Sequence, residues 1–361
     1  MLRRSFLQSM PLGAAAFAAP PAEEAPIRLG FDTYSLRAFK WNGMQLLDFA
    51  GEQKLDTIQF SSLADYGGLD AANLQKVKDR AAQLNISIDS GMGCICETSS
   101  AFNKKGGPAR QQILEGLRVA HQVGARVMRC YLGWSDDRIN TPIEKHMETV
   151  IQLFRSVRSE ATDLSVKIAL ENHSGDMTAR ELRWLIEEAG KEYVAACLDT
   201  GNPLWCAEDP LLTVEILGPY AATTHVRDSI VFETPHGAAG QWVAMGEGII
   251  DLAAIISGFR RLCPQSTMQL EIITGRPPRM VNYLDAEFWK MYPKMPAADL
   301  SRFVALARRG HPFLGTMVIE DAPGPHPPIM AEALKEQQRV DLVRSFEYCR
   351  KKLNVGMNWR G

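Results

Sequence analysis

Apolar residues recur in short runs from residue 27 onward, and each run is followed by a segment whose apolar positions repeat every three or four residues. The runs are Ile27–Asp32, Thr57–Ser61, Ile86–Ser90, Arg126–Leu132, Val166–Glu171, Val194–Asp199, Ala221–Val226 and Met268–Ile273. Brief apolar runs rich in β-branched residues predict buried strands. The intervening segments carry helix signals. Asp70–Leu84 has helical spacing, Pro108–Val123 stops at Gly124, and a helix opens at Pro142. Thr178-Ala-Arg-Glu181 is a capping box whose helix ends at Gly190, and Asp251–Leu262 stops before Pro264.

Eight strand–helix units over residues 27–275 predict an α/β fold, a (β/α)8 TIM barrel with a C-terminal helical extension. A doubly wound sheet is the rival, but it brings a glycine-rich phosphate loop after its first strand. Gly30-Phe31-Asp32-Thr33-Tyr34-Ser35 is not one. Residues 276–361 form the extension. Within it, 289–296 reads as aromatic and irregular, Leu300–Arg309 as a helix, and Ala331–Leu353 as the helix that closes or flanks the barrel.

In a barrel of this kind, residues at the carboxyl ends of the strands converge on one mouth. Those ends read Glu171-Asn172-His173, Asp199-Thr200-Gly201-Asn202, His225-Val226-Arg227-Asp228 and Glu271. Two glutamates, an aspartate and a histidine from four consecutive strands predict a divalent-metal site. Oxygen-rich donors with one imidazole suit Mn2+ first, with Mg2+, Co2+ or Zn2+ as alternatives.

The LEN, LDTGN, HVRD and LEI stretches, with Gly246–Asp251 and Ser345–Leu353, resemble the sugar phosphate isomerase/epimerase family, the xylose isomerase-like TIM barrel. The resemblance covers residues 27–275 and the last helix. It implies that Glu171, Asp199, His225 and Glu271 hold the metal, with Glu171 and Glu271 also catalytic as the proton-transfer pair. The expected activity is isomerisation or epimerisation next to a carbonyl of a sugar or keto-sugar. The alternatives are a 3-keto-glycoside lyase (deglycosidase) on the same site and a non-catalytic sugar-binding barrel. Asn172, His173, Asn202, Arg227 and Trp205 are candidate substrate contacts, and Asp228 is a candidate for orienting His225. Trp134, Trp242 and Phe232 also fall near mouth loops. Ketose 3-epimerases of the family carry a histidine three residues after the sixth-strand aspartate, where this chain has Asn202.

Composition narrows the partners. Of 361 residues, 40 are Lys or Arg and 42 are Asp or Glu, so the net charge is −2. Nucleic-acid binding needs a basic face that this balance does not indicate. A near-neutral chain suggests a neutral sugar or glycoside more than a phosphate. Homo-oligomers are common in the family. The first 26 residues differ in kind: Arg3-Arg4-Ser5-Phe6-Leu7-Gln8, a mildly apolar run, Ala16-Phe17-Ala18 and an acidic, proline-rich spacer. This is the pattern of a signal peptide of twin-arginine type, which predicts use of the twin-arginine export machinery and a periplasmic or secreted protein. The seven cysteines, odd in number and scattered, predict buried thiols instead of a disulfide framework.

Overall fold

The computed structural model describes residues 26–313, 319–321, 324–325 and 327–361, so the twin-arginine leader lies outside the described residues. The strands in chain order are β1 (Leu29–Asp32), β2 (Thr57–Gln59), β3 (Ser87–Cys94), β4 (Val127–Tyr131), β5 (Lys167–Glu171) and β6 (Val194–Asp199). They continue as β7 (Ala221–Val226), β8 (Asp228–Thr234), β9 (Gly237–Val243), β10 (Thr267–Leu270) and β11 (Arg279–Val281).

All eight expected strands are present and close into a parallel barrel in the order β1-β10-β7-β6-β5-β4-β3-β2. Parallel strands need crossover helices, and these cover the outside. They are Gly43–Glu52, Ala71–Gln83, Ala109–Gln122, Ile143–Ser156, Ala179–Ala189, Pro210–Leu217, Leu252–Leu262 and Pro328–Leu353. The Thr178 box forms as the sequence predicts: Glu181 donates its backbone N–H to Thr178 Oγ1, and the Glu181 carboxylate accepts the Thr178 N–H at 2.8 Å. Gly124, just past the Ala109–Gln122 helix, takes φ +79°, a conformation that favours glycine. Gly30 meets a different need. A Cβ there would lie 2.1 Å from the Thr57 carbonyl oxygen, so a side chain has no room between β1 and β2.

The ends of the chain meet. Phe346 on the last long helix packs edge-on against Phe31 of β1, with ring centroids 6.1 Å apart. The buried Asp56 carboxylate accepts N–H groups from Leu29 (2.8 Å), Met357 (2.9 Å) and Asn358 (2.7 Å), so one side chain ties the first strand to the chain's end.

Two features depart from expectation. The link between β7 and β10 contains a hairpin, β8–β9, which β11 extends into a three-stranded antiparallel sheet. Residues 289–296 are not wholly irregular, because helix Ala286–Met291 runs into them; the next helix, Ala297–Ala307, begins earlier than expected. These elements build a second core of Trp205, Tyr283, Phe288, Tyr292 and Phe303 beside the barrel. No helix among the described residues is long and apolar enough to cross a membrane.

Candidate metal centre

Glu171 and Asp199 are the last residues of β5 and β6, His225 is the penultimate residue of β7, and Glu271 follows β10 directly. Register brings them together: Asp199 lies opposite His225 across β6–β7, and His225 lies opposite Gln269 across β7–β10. All four side chains are buried, and one ligand-capable atom from each lies within 4.8 Å of the others. His225 Nδ1 is 3.2 Å from both Glu171 Oε1 and Glu271 Oε2 and 3.8 Å from Asp199 Oδ2. Asp199 Oδ2 and Glu271 Oε2 accept no hydrogen bond among the described residues, although both face the Arg227 guanidinium. Three convergent carboxylates, an imidazole nitrogen and two such oxygens fit a divalent cation. Cys197 also approaches Glu171 and His225, but it sits two residues before the strand end, deeper in the barrel.

Residues absent from the sequence-derived set hold this arrangement. Asp32, at the end of β1, lies 3.4 Å from His225 Nε2, and Gln59 of β2 contacts the same nitrogen and donates to Asp32 at 3.1 Å. An imidazole whose Nε2 faces a carboxylate keeps Nδ1 for ligation. Arg129 of β4 pairs with Glu171 through Nε at 2.5 Å. The available signal was a polar residue at or near the end of an apolar strand (Gly-Phe-Asp, Thr-Ile-Gln, Val-Met-Arg), and it went unread.

Burial and charge set the protonation states of the protein groups. Desolvation works against ionising Glu171, yet Arg129 and His225 hold its carboxyl well below the usual range. Burial, joined by the nearby Glu171 charge, raises Asp199 to about 6 against the pull of Arg227 and His225. Burial disfavours the His225 cation, but Cys197, Glu171 and Asp32 around it push its pKa well above the ordinary value. Burial lowers His173 to about 4, so it is a neutral ring at physiological pH.

A cavity of about 960 Å3 opens over the centre, and Glu271 is the metal-ligand candidate that lines it. Of the expected substrate contacts, His173, Asn202, Trp205 and Arg227 line it too, as do Trp134 and Trp242. His173 stacks on Tyr131 with centroids 4.0 Å apart and approaches the Gly133 carbonyl at 3.0 Å through Nδ1. Asn202 donates to Glu171 Oε1 at 3.1 Å. Arg227 pairs with Asp199 at 2.8 Å and with Glu271, and its guanidinium lies 4.1 Å from the Trp242 ring centroid.

Three expectations need correction. Asn172 does not line the cavity: its amide donates to the Asp199 carbonyl and accepts the Asp199 N–H, each at 2.9 Å, so it braces the Asp199 strand end beside the cluster. Asp228 does not orient His225. Its carboxylate accepts N–H groups from Ser229, Gly246 and Gly248 and thereby pins that loop. Phe232 lies in β8, away from the cavity lining.

The chain is thus a closed (β/α)8 barrel with a buried Glu-Asp-His-Glu cluster at the carboxyl ends of its strands. The family model for the xylose isomerase-like TIM barrel matches residues 37–289, and the chain belongs to that family. The 3-oxo-isoapionate decarboxylase of Pectobacterium atrosepticum is 21% identical over 240 residues, which are 63% of this chain and 78% of the relative. A D-psicose 3-epimerase crystallised in the presence of D-fructose superposes with a TM-score of 0.58 at 14% identity, covering 90% of this chain and 98% of that one. The 3-keto-D-glucoside 4-epimerase of E. coli does so with a TM-score of 0.53 at 16% identity, covering 74% and 98%.

Proposed function

We propose that the protein is a divalent-metal-dependent isomerase or epimerase that moves a proton on the carbon next to a sugar or keto-sugar carbonyl. The observation carrying this reading is the placement of Glu171 and Glu271, from strands on either side of the β6–β7 pair, at equal distance from His225 Nδ1. Glu171, Asp199, His225 and Glu271 would hold the cation, with Mn2+ preferred for this donor set. When bound, such a cation polarises the carbonyl and stabilises the negative charge left by proton removal.

The chain's own groups divide the remaining work. Glu271 lines the cavity and is the carboxylate placed to take or return a substrate proton. Glu171 has Arg129 on one oxygen and Asn202 and His225 on the other, so its carboxylate is fixed in orientation. It serves as the counterpart of Glu271. The half-buried, neutral His173 lines the cavity and offers its ring to substrate hydroxyls without adding charge. The epimerase neighbours and the 3-oxo acid decarboxylase are named for reactions at carbonyl-bearing sugars or sugar acids, which supports the same type of site.

A cavity of about 960 Å3 walled by Trp134, Trp205 and Trp242 is larger than one hexose needs and supports a second reading, the keto-glycoside lyase. That reaction begins with the same proton removal and continues by expelling the substituent on the next carbon.

Location is also a proposal. The Arg3-Arg4 leader supports export by the twin-arginine route. Seven buried thiols, none in a disulfide, fit folding in a reducing compartment before transport. The test of the activity is solvent-deuterium incorporation into a keto-sugar panel, D-fructose and 3-keto-glucosides included. Wild type should wash deuterium in, and Glu171→Gln and Glu271→Gln should each abolish it. Absence of exchange by wild type across the panel removes the enzyme reading.

A further inference from the structure

The mouth of the cavity does not share the chain's neutral balance. Arg37, Lys40, Arg129, Arg227, Arg276 and Arg279 line it, against only two acidic residues, Asp65 and Glu271. Several of these cations are spoken for: Arg129 by Glu171, and Arg37 and Arg276 by Asp321. Arg279 has no acidic partner among the described residues. Projecting from β11, it crosses to the loops after β4 and β5 and there donates to neutral oxygens, Ser135 Oγ at 2.8 Å and Ser174 Oγ at 3.2 Å. Its guanidinium lies 5.0 Å from the Trp205 ring centroid; Trp205 meets Trp242 edge-on at 5.2 Å, and Trp242 stacks under Arg227. A cation–indole–indole–cation ladder thus runs from the rim to the metal-ligand carboxylates.

Along it lie donors with no acceptor. Arg227 Nε and Nη1, Trp205 Nε1 and Trp242 Nε1 are buried and have no hydrogen-bond partner among the described residues. Buried unpaired N–H groups are costly, and a rim whose exposed cation, Arg279, meets only hydroxyl oxygens among the described residues is complementary to an acceptor-only ligand group. A carboxylate meets that description, and guanidinium is the side chain that binds it through two parallel hydrogen bonds.

We infer that this site takes an acidic sugar, and that Arg279 anchors the substrate's anionic group at the rim while the Trp205–Trp242 pair walls the path from there to Glu271. The inference rests on the proposed activity for the position of the reacting carbon, but its test reads binding alone.

The probes are 2-keto-D-gluconate and D-fructose, which share a skeleton and differ at C1 as carboxylate against CH2OH, with D-fructose 6-phosphate as the phosphate arm. Binding to the full-length, Mn2+-loaded protein is measured by calorimetry. Wild type should bind 2-keto-D-gluconate about 10- to 100-fold more tightly than D-fructose, the range expected for a charged hydrogen-bonded pair. Arg279→Met should bring that ratio close to one, and Arg279→Lys should restore part of it. Tighter binding of D-fructose 6-phosphate, with the same loss in Arg279→Met, supports the anionic anchor and names phosphate as the group.

A wild-type ratio near one overturns the inference without recourse to any variant. So does a preference that survives in Arg279→Met, because the metal would then be the source of selectivity, and so does the absence of measurable binding of all three probes at millimolar concentration. Deuterium exchange, measured separately, decides the proposed activity: an enzyme that exchanges protons on neutral sugars with no acid preference keeps its function and loses this substrate class.

Discussion

Asn172 and Asp199 exchange two hydrogen bonds of 2.9 Å across adjacent strand ends, the amide of one gripping the backbone of the other. The Asp199 carboxylate is meanwhile turned by the Gly201 and Asn202 N–H groups, each 2.6 Å from Oδ1, so that Oδ2 faces the cluster. The metal-ligand candidate is therefore set in place from two sides by its own neighbours in sequence and in space.

Replacing Asn172 by Leu should act on the metal more than on the substrate. Partners of this kind typically change metal affinity about 10- to 100-fold. The buried N–H and C=O left behind should also destabilise the fold by about 2–4 kcal/mol. Calorimetric Mn2+ titration and urea denaturation measure the two effects. Unchanged metal affinity with a raised KM would put Asn172 at the substrate after all.

Metal should stabilise the folded chain. A cation that binds only the native state adds about 2.7 kcal/mol at 100 times its Kd. Mn2+ should therefore raise the thermal midpoint of wild type, and EDTA should reverse the rise. Asp199→Asn and His225→Gln should lose most of it. Equal midpoints with and without metal would count against the site.

Glu208 gives the fold a pH dependence of its own, away from the metal cluster. It is buried, it accepts from Thr213 Oγ1 at 2.6 Å and from the Ala179 N–H, and burial raises its pKa to about 7 from an ordinary 4.5. A folded pKa above the unfolded one means that the native state binds the proton more tightly, so stability declines as pH rises from about 4.5 to about 7. This shift corresponds to roughly 3 kcal/mol. Glu208→Gln should remove that part of the slope, gaining on wild type at pH 8 and not at pH 4.5, as read from urea midpoints across pH.

The leader makes a prediction in the cell. Arg3→Lys with Arg4→Lys should leave the precursor in the cytoplasm with its activity intact, while the wild-type chain is recovered shortened from the periplasm. Fractionation and N-terminal sequencing decide it. Export of the doubly substituted chain would show that the arginines are not read.

The barrel was legible because several strands, Val194–Asp199 among them, are short and largely apolar, which is what burial on both faces demands. The four-residue cluster was legible because carboxylates and a histidine at strand ends stand out against Val, Ile and Leu. Asp32, Gln59 and Arg129 were not, since each lies singly in a strand that showed no other chemistry. The β8–β9 hairpin hid behind Gly237-Ala-Ala-Gly240, where small residues leave no period-two alternation. The brace that Asn172 gives Asp199 was not legible, because an amide beside a ligand looks the same in sequence whether it faces substrate or backbone. The basic rim was invisible for a different reason. Arg37, Lys40, Arg276 and Arg279 come from opposite ends of the chain, and a net charge of −2 averages them away.

The Asp56 clasp bears on when this chain finishes folding. The seam between β1 and β10 joins residues nearly 240 apart, and the clasp closes only once Met357 and Asn358 have reached Asp56. Until Thr267–Leu270 arrive, β1 has β2 as its one barrel neighbour. Closing the barrel is thus a long-range step that pairing between successive strands cannot complete, and it suits a route that carries a protein already folded.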